Sequence, residues 1–134
     1  MKIDETISEK NVVMEKDDPY GFSMKLMDRM SEFGHVTERR NEYMTDGPEH
    51  RSFVEFDVVD VMDDFSRIQV SVFMDSVQKT LSMRVICSFD VKADESGFMS
   101  SMLSEYYVEN IYPAVRRMSL EKIKAVEKFI ESGI

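Results

Sequence analysis

The sequence predicts an α+β domain: an N-terminal helix, an antiparallel β-meander of about four strands, and two C-terminal helices packed on one sheet face. Three observations predict it. Residues 52–91 hold three segments that alternate apolar and polar residues, the mark of strands with one buried and one solvated face. Residues 22–33, and the stretch from Phe98 onward, place apolar residues every three or four positions instead, which is the helical period. The turn-forming clusters "DDPYG", "TDGPEH" and "KADESG" separate these blocks.

Each element follows from its residues. Residues 1–18 carry one short apolar patch, "NVVM", between charges, and read as an arm or a short edge strand outside a single domain of residues 19–134. Phe22, Leu26, Met30 and Phe33 form one helix stripe, and Gly34 is a natural stop. "HVTERRNEYM" (35–44) has no apolar face and reads as a charged, guarded edge strand. "SFVEFDVVDV" (52–61), "SRIQVSVFMD" (66–75) and "TLSMRVICSFDV" (80–91) are the strong strands. Keeping apolar opposite apolar pairs Val58 with Ile68 and Met74 with Leu81.

Helical spacing resumes at Phe98. Pro113 cannot sit inside a regular helix, so a break is expected near Glu109-Asn110, with a second helix from Ile111. Its apolar face would be Ile111, Val115, Met118, Ile123, Val126, Phe129 and Ile130, leaving Arg116 and Arg117 toward water.

Composition narrows the function. The 134 residues suffice for one packed core. Seventeen basic against twenty-six acidic residues give a net charge of −9, which repels phosphate backbones and argues against nucleic acid. No apolar run approaches the roughly 20 residues of a membrane span, and the polar N-terminus is unlike a signal peptide. With Cys87 as the lone cysteine, a reducing, cytoplasmic setting is expected. No catalytic constellation stands out. His35, His50 and Cys87 lack zinc spacing, and "DVMDD" (60–64) lacks the glycine and terminal glutamate of a calcium loop. A non-enzymatic protein without metal or cofactor is the expectation.

The outer sheet face holds the first candidate site. Strand parity sets Phe53 opposite Phe73. A loop symmetric about Gly47-Pro48 sets Tyr43 opposite Phe53, with Ile86 one strand over. Exposed contiguous aromatics mark interfaces. Ordinary cross-strand pairing or cover by the N-terminal arm also fits them. A second candidate is a pocket between sheet and C-terminal helices, with Tyr106, Tyr107 and Tyr112 supplying polar tips.

The element order, size and acidity resemble the small type III secretion chaperones and their YbjN-like relatives. Separately, "MLSEYYVENIYPAVRRM" (102–118) after the strand "RVICSFDV" resembles the segment of SecB-type export chaperones where the last strand leads into a helix. Asn110, Ile111, Tyr112, Pro113 and Arg116 carry that likeness. The leading helix and the missing glycine-rich stretch depart from the SecB pattern. Both resemblances imply a protein-binding module, chaperone-like or adaptor, acting as a homodimer or larger oligomer. The alternative is a small-molecule-binding domain.

Overall fold

A computed structural model describes residues 2–45, 50–62, 66–92, 109–110 and 112–131. Five strands and two helices appear among them: β1 (Lys2–Glu15), α1 (Pro19–Arg29), β2 (His35–Met44), β3 (Arg51–Val61), β4 (Ser66–Val77), β5 (Thr80–Lys92) and α2 (Tyr112–Glu131). A single 3₁₀ turn, Met30–Glu32, extends α1. The strands form one antiparallel sheet in the order β1-β5-β4-β3-β2.

Several expectations need correction. The first element is a strand, not a helix. Residues 1–18, expected to be an arm or a short edge strand outside the domain, form the 14-residue edge strand β1, which joins the meander beside β5 and makes it five strands. The length of β1 is illegible because Glu5, Ser8 and Lys10 point inward, toward α2, and are polar. A bulge between Thr6 and Ser8 also breaks its alternation. Of the two predicted C-terminal helices, the one expected from Ile111 is α2, and the one before it falls outside the described residues.

The meander registers are each offset by two residues from expectation. Val58 pairs with Val70 and Met74 with Met83, because each turn is centred one residue later than expected. A shift of two keeps every side chain on its face, so the buried face is the expected one. The β4–β5 turn is the two residues Gln78 and Lys79, and Gln78 takes φ +54°. That left-handed conformation costs a non-glycine residue roughly 1–2 kcal/mol.

Both helices pack on the same face of the sheet. Asp18 caps α1, accepting from the Gly21 N–H at 3.0 Å. Leu26 and Met30 are fully buried against Val54, Phe56, Val58 and the inward residues of β4 and β5. From α2, Ile123, Val126 and Ile130 complete the core, and Phe129 meets Phe33 edge-on with ring centroids 5.1 Å apart. Met118 leaves the predicted stripe and is 53% exposed, while Ser119 is buried instead. Pro113 sits in the first turn of α2, where a missing N–H costs nothing.

Arg116 is only partly exposed to water. It donates to Glu5 of β1 through Nη2 at 2.7 Å and Nε at 3.0 Å. Further along α2, Glu127 accepts from Ser8 Oγ at 2.6 Å and pairs with Lys10 at 3.1 Å. Lys122 on the opposite flank pairs with Asp60 at 2.6 Å. Polar groups of both sheet halves therefore hold α2. Half-exposed pairs of this kind contribute up to about 1 kcal/mol each. Burial works to raise the Glu127 pKa, but the Ser8 and Lys10 hydrogen bonds and the Lys10 charge outweigh it and hold the carboxyl below its ordinary value. Its contribution to the latch is thus present above the ordinary carboxylate range and lost as pH falls through the lowered folded value.

Candidate functional site: a hollow between the sheet and α2

The latch on both flanks spans a gap. Between α2, the 3₁₀ turn and strands β3 and β4 lies a hollow of about 220 Å³. Its inner wall is Val58, Ile68, Val70, Ile123 and Val126, all members of the buried core. Its more exposed members, Glu32, Ala125 and Lys122, mark the mouth, with Phe33 and Asp60 between.

The elements place these groups for local reasons. Val58, Ile68 and Val70 are inward residues of paired strands. Asp60 stands at the next inward position of β3 after Val54, Phe56 and Val58. A carboxylate there interrupts the apolar row and turns to Lys122. Gly34 brings the start of β2 hard against the Val59 backbone, which sets the 3₁₀ turn beside Asp60. The result is an apolar pocket with a few charges converging at its opening, the usual build of a small-molecule site.

The outer face is arranged differently from expectation. Tyr43 is not part of the stripe. It pairs with Ser52, an inward residue, and stacks on Tyr20 of α1 at 4.7 Å. The β2–β3 register offsets Tyr43 from Phe53 by one residue, and one residue changes faces. Phe53 and Phe73 do share the outer face, but diagonally: Phe53 pairs with Asp75 and Phe73 with Glu55. The Arg40 guanidinium lies 4.3 Å from the Phe53 ring centroid and Arg51 5.5 Å, so cations cover much of this ring. Ile86 is half-buried opposite Ser71. A shallow outer hollow of about 430 Å³ runs from Phe53 and Phe73 to Val13 of β1.

Of the tyrosines expected to line a pocket, Tyr106 and Tyr107 lie outside the described residues, and so does the side chain of Tyr112, the first residue of α2. The residues around the inner hollow were missed as a site. Their signal was Asp60, an acid in phase with the buried residues of β3, which a reading of "DVMDD" as one solvated turn absorbs. Cys87 is buried with its thiol pKa pushed up by burial, so it is a poor nucleophile. Among the described residues no group of three or more histidine, cysteine or acidic side chains could hold a metal. None of their helices is long and apolar enough to cross a membrane.

No protein-family model matches this chain, and no curated protein matches it. One solved structure with some likeness is an uncharacterized protein from Rhizobium leguminosarum. It is 6% identical over 94% of this chain and 97% of that one, with a TM-score of 0.32. A likeness that loose carries no functional argument.

Proposed function

We propose that this domain binds a small, largely apolar molecule in the hollow between the sheet and α2. The observation that carries the reading is the hollow itself, walled by core residues and ringed by Glu32, Asp60 and Lys122. Its 220 Å³ exceeds the roughly 150 Å³ cavity that accommodates benzene and falls below the roughly 300 Å³ of drug-sized sites. A single ring or a short chain with one polar end matches that space. The polar end would meet two carboxylates and one ammonium, so a hydrogen-bond donor is the matching group.

A thermal-shift series with benzyl alcohol, hexanol and indole tests this. A ligand at about 100 times its dissociation constant stabilises by about 2.7 kcal/mol, on the order of 10 °C for a domain of this size. The expected result is a saturable rise with at least one probe. Ala125→Phe, which plugs the mouth, should abolish the rise and leave the unliganded melting temperature nearly unchanged. No saturable rise with any probe would count against the reading.

A second reading, capture of a protein segment or self-association through the outer face, draws on one observation. Val13 is 71% exposed on the edge strand β1, beside the outer hollow, and open strand edges recruit other chains. The chaperone-like role implied by the resemblances belongs to this reading. An unchanged particle size and partner set in a Phe53→Ser, Phe73→Ser variant would remove it.

A further inference from the structure

The charges at the mouth of the inner hollow are unevenly matched. Glu32, Asp60 and Lys122 are the charged residues that line it. Lys122 reaches from α2 to β3, its Nζ donating to Asp60 Oδ2 at 2.6 Å. Among the described residues, the second Asp60 oxygen and the Glu32 carboxylate have no other partner. One ammonium therefore serves two carboxylates, and the mouth is left negative.

Asp60 and Lys122 are not held equally. Asp60 stands opposite Ile68 in the β3–β4 ladder, so two paired strands set its carboxylate beside a residue of the hollow's wall. Its side chain is 29% exposed. Lys122 is 50% exposed, on a flexible four-carbon stem. A pair this open is worth at most about fivefold in an equilibrium. Lys122 can give up Asp60 for water at that cost. α2 stays seated, because Ile123, Val126 and Ile130 bury its inner face.

Lys122 thus places a tethered amine at the polar end of an apolar hollow. We infer, resting on the binding role proposed for this hollow, that its ligand is a primary amine on a single ring or short chain, whose ammonium displaces Lys122 from Asp60. Head-group chemistry selects the class. An ammonium has three donors and no acceptor. It bonds to Asp60 where Lys122 now does, and Glu32 adds attraction across the mouth. A hydroxyl offers one donor and no charge. A carboxylate would have to take Lys122 from Asp60 and then stand beside two like charges. The apolar part of each ligand meets the same wall, so the head group sets the preference.

Calorimetric titration with benzylamine, benzyl alcohol and benzoate, at about pH 7 and low salt, tests this. The three probes share a ring and differ in head group. Benzylamine is expected to bind about tenfold tighter than benzyl alcohol, and benzoate weaker than either. Asp60→Asn should bring the amine-to-alcohol ratio to within about twofold of one. Lys122→Met removes the tethered competitor and should raise that ratio by up to about fivefold. A damaged fold would weaken all probes together, so opposite shifts of the ratio in these two variants separate displacement from unfolding. Glu15→Gln, at the far end of the sheet, should leave the ratio unchanged. Saturable benzyl alcohol binding without a preference for benzylamine would overturn the amine and leave the hollow as a site for neutral molecules. A lower ratio in Lys122→Met would mean that Lys122 assists the ligand, and would overturn displacement. Saturation by none of the probes would overturn both the amine and the site.

Discussion

Phe56→Ala is expected to destabilise the domain by about 3–5 kcal/mol. Phe56 is fully buried in the middle of β3, paired with Val72 on one side and Glu38 on the other. α1 packs chiefly on that strand, so the ring fills the space between helix and sheet. Removing it takes away its apolar burial and leaves a void that the sheet backbone, hydrogen-bonded on both sides, cannot collapse into. Domains of this size are stable by only about 5–15 kcal/mol, so the loss is a large share of the total. Urea unfolding followed by circular dichroism should show the midpoint fall with little change in slope. A change below about 1 kcal/mol would mean that the core is not packed around Phe56.

Gly34→Ala should have the second largest effect, about 1–3 kcal/mol of destabilisation. An added Cβ would lie inside contact with the Val59 carbonyl oxygen, 2.8 Å from its carbon and 3.2 Å from the Asp60 nitrogen. Those are ladder atoms of β3 and cannot rotate away. The start of β2 must therefore move, and with it the 3₁₀ turn that carries Glu32 and Phe33 to the inner hollow. Ligand-induced stabilisation should fall as well as basal stability. Gly21→Ala is the contrast. There the Cβ meets only the Asp18 side chain, which can swing aside for the loss of one cap, about 1 kcal/mol.

The legible parts of this fold were those where one face of an element is wholly apolar. The strands of residues 52–91 and the Leu26–Met30 helix face follow from period alone, and their burial confirms the face of each residue. Gly34 was legible as a boundary, though it is required for close approach to β3 and not for a left-handed turn. The full length of β1, beyond a short edge strand, was hidden because its inward residues answer α2 with charge. Glu5 and Lys10 look like surface residues until Arg116 and Glu127 are placed over them. Register was hidden because parity fixes faces and leaves shifts of two open. Tyr43 was misplaced because an off-by-one loop centre reverses faces. The inner hollow depends on how far α2 stands from the sheet, a distance that no spacing in the sequence encodes.

Methyl-resolved NMR during titration with benzyl alcohol is the most direct measurement of ligand binding under α2. Saturating shifts are predicted at Val58, Ile68, Val70, Ile123 and Val126 with a single dissociation constant, and none in the Ala125→Phe variant. Shifts confined to the outer face around Val13, or no shifts at all at these five residues, would contradict a binding site between the sheet and α2.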